Sequence, residues 1–252
     1  MRFGLICAMF SAPAFCADVY VNDFNAAVGT TYPECASSGY TNSANRAGTV
    51  AAGSGPQLVA TVASPNGKQR FLGEFGGRVI VTAPPYETVT LTLHNLKPHT
   101  SMTVSFDLYV LKSWDGNNAR YGPDRWRLRV ENGPTLLDTT FSNNPKPGVD
   151  LSRQNYPVAN SPQQTDAVST NTLGYSFYGD SIYHFTFNFP HAGDTLILNF
   201  SSSLFEGKGT GDESWGLDNV RVSSNSDVGE RPGNQAQLLR EGDELIPVGT
   251  RY

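Results

Sequence analysis

Gly211-Asp212-Glu213-Ser214-Trp215-Gly216-Leu217-Asp218-Asn219-Val220-Arg221-Val222 is a short apolar strand with carboxylates crowded at its edge. Upstream, Phe106-Asp107-Leu108-Tyr109-Val110-Leu111-Lys112-Ser113-Trp114-Asp115-Gly116 repeats the arrangement. Each stretch sets a Trp beside acids where a strand meets a loop. Clustered oxygen ligands at strand ends suit a hard cation, and secreted β-sandwiches hold calcium or present sugar-binding rims in this way.

Working outward, the chain alternates apolar and polar residues in short runs broken by Gly, Pro, Asn and Asp. Val89, Leu91 and Leu93 share one strand face, and Val104, Phe106, Leu108 and Val110 share one face of the next. The connection Asn95-Leu96-Lys97-Pro98-His99-Thr100 makes these two a hairpin or a pair that crosses between sheets. Trp126, Leu128 and Val130 alternate with Arg125, Arg127 and Arg129, and Asn132-Gly133 marks a turn into residues 135–141. Tyr183, Phe185, Phe187 and Phe189 alternate with His184, Thr186 and Asn188, and Leu196, Leu198 and Phe200 follow in a further strand. The last strand is residues 215–222. Trp126 and Trp215 fall on core faces.

The composition agrees. Of 252 residues only 16% are charged and 11% are aromatic, with 25 Gly and 16 Pro, which favours many short strands over helices. A net charge of -5 provides no basic stripe for a phosphate backbone, so nucleic acid is excluded as a partner. Met1-Arg2-Phe3-Gly4-Leu5-Ile6-Cys7-Ala8-Met9-Phe10 joins one positive charge to an apolar run, and small residues follow at cleavage spacing. Residues 1–17 therefore read as a signal peptide, cut after Ala14, Cys16 or Ala17, and the mature chain has no membrane span. That places the protein in a secreted, periplasmic or extracellular setting. Cys35 is then the one cysteine of the mature chain, which leaves no internal disulfide and no zinc cluster. Residues 18–222 form one β-sandwich domain with a long loop from 142 to 171, and residues 223–252 form a flexible tail in which 238–249 could make a terminal hairpin.

The set Arg70-Phe71-Leu72-Gly73-Glu74-Phe75-Gly76, Leu93-His94-Asn95-Leu96-Lys97-Pro98-His99-Thr100, Ser113-Trp114-Asp115-Gly116, Gly122-Pro123-Asp124, Thr139-Thr140-Phe141-Ser142-Asn143 and Trp215-Gly216-Leu217-Asp218-Asn219-Val220 resembles a group of uncharacterised secreted bacterial domains found in surface proteins. The resemblance implies an all-β, antiparallel jelly-roll sandwich, concanavalin A-like or galactose-binding-like. Val19-Tyr20-Val21-Asn22-Asp23-Phe24 and Leu217-Asp218-Asn219-Val220 also look like the first and last strands of carbohydrate-binding jelly rolls. In those modules the two strands lie near one another and share a structural calcium.

Asp23 and Asp218 are thus the first expected metal pair, with Asp212 and Glu213 completing that site or forming another beside the loop Gly207-Lys208-Gly209-Thr210-Gly211. The alternative is that Asp218 and Asn219 cap a turn. A ligand face is expected from Asp107, Tyr109, Arg127, Arg129 and His184 if their strands lie side by side, with Trp114, Asp115 and Tyr121 on a rim loop. Charged and amide groups would bond sugar hydroxyls while an aromatic ring covers the apolar sugar face. The competing reading is a solvated sheet with Asp107 paired to Arg127 or Arg129. Catalysis on glycans is the rival function: Asp212, Glu213 and Asp218 are grouped acids, but they lack the alternating Glu-x-Asp-x-x-Glu of sandwich glucanases, and no nucleophile elbow appears. The sequence therefore predicts a calcium-stabilised binding or adhesion module for glycans or cell-surface polysaccharide, against an enzyme or a structural matrix component.

Overall fold

The computed structural model describes residues 15–38, 57–76, 87–143, 152–176, 178–204 and 209–226. Residues 1–14 of the expected signal peptide and residues 227–252 with the expected hairpin lie outside them. The described strands are β1 (Phe15–Asn22), β2 (Thr31–Ser38), β3 (Gln57–Ala63), β4 (Arg70–Phe75), β5 (Glu87–Leu93), β6 (Ser101–Lys112), β7 (Arg125–Val130), β8 (Thr135–Thr140), β9 (Ser169–Thr170), β10 (Asp180–Pro190), β11 (Leu196–Ser203) and β12 (Glu213–Ser226). Every pairing is antiparallel.

One layer runs β8-β7-β11-β5-β2 and the other runs β4-β12-β6-β10-β9, with β1 on the later half of β12. β3 joins the layers: residues 57–60 bond to β2 and residues 61–63 bond to β4, so one sheet folds over on itself. β5 and β6 are consecutive but lie in opposite layers, as do β10 and β11, so both connections cross the sandwich. His99 and His191 tie the two crossings, with Nε2 and Nδ1 2.7 Å apart. β1 begins at Phe15, inside the expected signal segment, and β12 continues to Ser226, beyond the expected end of the domain at 222.

Alternation explains the core. Val104, Phe106, Leu108 and Val110 of β6 face Trp126 and Leu128 of β7 and Phe200 of β11, all buried. Phe106 meets Phe200 edge-on at 5.4 Å, and Trp126 meets Trp215 edge-on at 5.8 Å, joining the layers at their centre. Cys35 is buried in this core, its thiol pushed up to about 12 chiefly by burial.

A second small core sits outside β6. Gly216 leaves room for Phe71, whose ring stands 2.3 Å from where a Cβ at 216 would lie. Phe71 packs on Tyr109, and Leu173 from the segment before β10 closes over Tyr109 and Leu111. The described residues of the expected loop from 152 onward, together with those up to 176, thus form a folded flap on this outer face, fixed by Asp180, whose carboxylate accepts from the Thr172 and Leu173 amides at 2.9 and 3.1 Å.

Candidate metal centre

Side chains two residues apart on a strand share a face. Glu213 therefore points inward with Trp215 on β12, and Asp124, just before β7, points inward with Trp126. Because the two Trp rings pack together, the acids two residues upstream of each meet at one end of the core. Asp115, directly after Trp114, completes the group. Trp114 is held there by its indole N–H, which donates to Ser214 O at 2.8 Å. Each of the chain's 3 Trp residues thus stands next to, or two residues from, an acid of this cluster.

The three carboxylates offer oxygens all within 4.8 Å of one another. Opposite ligands on a calcium ion stand about 4.8 Å apart, so one ion can touch all three. Asp115, Asp124 and Glu213 are 5%, 0% and 2% exposed, so water does not screen them. Asp124 Oδ2 accepts from the Asp115 amide at 2.5 Å, and Asp115 Oδ1 accepts from Ser152 Oγ at 3.1 Å. Glu213 Oε1 is buried without a hydrogen-bond partner. Burial first, then the charges of Asp124 and Asp212, a side-chain hydrogen bond with Asp124 and the charge of Asp115 drive Glu213 well above the usual carboxylate range. Buried acids side by side are a costly arrangement, which a proton shared by Glu213 and Asp124 or a bound cation would relieve. The all-oxygen donor set selects a hard ion over zinc or copper.

Backbone geometry fixes the loop. Gly116 has φ +64°, and a Cβ there would lie 2.0 Å from Arg153 O. The Asn117 amide donates to that same Arg153 carbonyl at 2.7 Å, and the Asp124 amide donates to Gly116 O at 2.7 Å. Only glycine fits the close approach that locks the flap segment onto the Asp115 turn.

Of the residues expected as metal ligands, Glu213 joins the cluster and Asp212 adjoins it, with Oδ1 accepting from Ser113 Oγ at 2.9 Å. Asp23 and Asp218 lie elsewhere, on the paired β1 and β12 side. Asp23 Oδ1 accepts from the Asn25 amide at 3.2 Å. Asp218 is buried and accepts from Tyr109 Oη at 2.7 Å and from the Asn219 amide at 2.8 Å. Burial raises the Asp218 carboxyl to about 6. Burial likewise pushes up the Tyr109 hydroxyl.

The expected ligand face is divided. Asp107 and His184 do face each other across β6 and β10, at 2.7 Å, and Asn219 donates to the other Asp107 oxygen at 2.7 Å. Arg127 and Arg129 are on β7, in the opposite layer, which corrects the expectation that they share a face with Asp107 and also its competing ion pair. Arg127 joins Arg125 on Asp138, at 2.8 and 2.7 Å. Tyr109 and Trp114 are 3% and 0% exposed, so neither is presented as an aromatic cover; both were needed to fill the fold. Tyr121 is half-buried beneath Arg120, whose guanidinium carbon is 4.8 Å from the ring centroid. Asp115 belongs to the acid cluster rather than to an open rim. Asp124 was not among the expected metal ligands; the signal for its place in the cluster lay in Asp124-Arg125-Trp126 matching Glu213-Ser214-Trp215.

No protein-family profile matches the chain, and no curated protein sequence does. Among solved structures, the K3 cleaved adhesin domain of Lys-gingipain from Porphyromonas gingivalis aligns at 12% identity and a TM-score of 0.38, covering 82% of this chain and 100% of that one. A non-crystalline cellulose specific carbohydrate-binding module aligns at 15% identity and a TM-score of 0.30, covering 65% of this chain and 79% of that one. Neither likeness bears on what this chain binds.

Proposed function

We propose that the chain is a secreted binding or adhesion module of jelly-roll type, with glycans as partners and calcium at Asp115, Asp124 and Glu213. The observation that carries this reading is the buried three-carboxylate cluster with Glu213 Oε1 unpartnered inside it. A calcium ion there would staple the end of β6, the start of β7, the start of β12 and the flap through Ser152. Extracellular calcium is abundant enough for a modest site of this kind, in keeping with the signal-like N-terminus. Burial of the same acids argues against the rival glycan-active enzyme, since a polymer cannot reach carboxylates at 0% and 2% exposure.

A glycan array probed with the full chain in calcium and after chelation tests the reading. Saturable binding to a defined subset of glycans, weakened by chelator, is expected. Binding to none would leave a structural matrix component. Release of reducing sugar from polysaccharide that disappears in Glu213→Gln would instead establish the enzyme.

A further inference from the structure

Beside the metal centre, on the outer face of the second layer, lies an open cleft of about 510 Å³ between the flap and the turn before β12. Tyr175, Tyr178, Ser176, Lys112 and Asp212 line it. Lys112 also lines a smaller hollow of about 240 Å³ with Glu74 and Thr210, so the two hollows share this side chain. The larger hollow alone falls in the range of roughly 300–1,000 Å³ typical of small-ligand sites.

The polar groups are already arranged. Glu74 accepts from Lys112 Nζ at 2.6 Å, from Ser214 Oγ at 2.8 Å and from Tyr175 Oη at 2.5 Å. Lys112 Nζ also donates to Thr210 O and stands 5.3 Å from the Tyr175 ring centroid. An ammonium has three N–H donors, so one remains for a ligand. Two residues of the groove wall, Lys112 and Tyr178, have φ of +70° and +64°. Long and aromatic side chains seldom accept that left-handed geometry, which gathers at ligand clamps.

We infer that this groove is a binding site for neutral oligosaccharide and that the cation centre sets its walls. Fixed donors and acceptors beside the rings of Tyr175 and Tyr178 match a sugar's hydroxyls and its apolar face. Two carboxylates against one neutralised ammonium disfavour uronates and other anions. The coupling is covalent and short: Asp212 in the groove precedes Glu213, and Lys112 precedes Ser113-Trp114-Asp115. This assignment rests on the proposed glycan-binding function and deepens it by naming the surface and the charge class.

The test is isothermal titration of the full chain with cellohexaose, xylohexaose, mannohexaose and an oligogalacturonate, in calcium and after chelation, alongside thermal melts. Saturable binding of a neutral oligosaccharide is expected, weakened about tenfold by Lys112→Met, by Tyr178→Asn, which tolerates the left-handed backbone, and by chelation. The calcium-induced rise in melting temperature should survive both groove substitutions. Failure of all the neutral sugars to bind while calcium still raises the melt would overturn the groove and leave the metal centre standing. Preferred binding of the oligogalacturonate, or binding indifferent to both substitutions, would overturn it too, and binding unchanged by chelation would overturn the coupling.

Discussion

The carboxyl of Asp218 holds its proton longer than an exposed aspartate, its pKa pushed up to about 6 chiefly by burial, with Asp107 and Asp23 adding to the rise and Tyr109 opposing it. A carboxyl raised on folding contributes stability in full below its unfolded value of 3.8 and loses it as pH climbs through about 6. Asp218→Asn should therefore be more stable than wild type by about 2 kcal/mol in urea titrations near pH 8, the two converging near pH 4. A calcium ion held by Asp23 and Asp218 would give the opposite sign, so this variant separates the site expected from the sequence from the cluster in the fold. Gly116→Ala should lose about 3 kcal/mol, from the left-handed φ and the Arg153 carbonyl in the way of a Cβ, as read by the same titration. At this scale the sequence was half legible. Glu213 was evident as an acid at a strand end, but Asp124 was not, because its meaning depends on two Trp residues, far apart in the chain, packing face to edge.

Strand identity was easier to read than strand neighbourhood. The period-2 pattern located β5, β6, β7, β10 and β11, since one-sided burial writes alternation directly into each segment. Which layer each occupies is decided by connections such as residues 94–100 and 191–195, whose crossing leaves no periodic trace. That is why Arg127 and Arg129 were expected beside Asp107 and stand in the other layer. The flap was harder still: its polar composition reads as loop, and its order comes from Leu173 and the half-buried Tyr175 on the outer core, from Tyr156 packing on Phe141, Tyr183 and Phe185, and from Asp180 capping two amides. Leu173→Ala should cost about 2–3 kcal/mol and loosen the flap while the sandwich persists. Hydrogen exchange checks this: amides of residues 169–175 should lose protection and those of β6 should keep it. Equal loss in both would mean that the flap and the sandwich are one cooperative unit.

In the whole molecule, the buried acids sit where both layers, the β6–β7 turn and the flap come together. Three carboxylates at a shared end of a core would destabilise an otherwise well-packed sandwich, and a cation there would turn the same groups into a cross-link between layers. Among the described residues no helix is long and apolar enough to cross a membrane. The proximity of all three Trp residues to the cluster also gives a reporter: terbium, a luminescent stand-in for calcium, should be sensitised by Trp excitation and displaced by calcium. The most direct measurement is the thermal melt of the full chain in saturating calcium and in chelator, with Glu213→Gln in parallel. At a ligand concentration about a hundredfold above Kd, wild type should gain about 2.7 kcal/mol, or roughly 5–10 °C, and Glu213→Gln should gain almost nothing. A wild-type melt that is the same in calcium and chelator would contradict the metal centre.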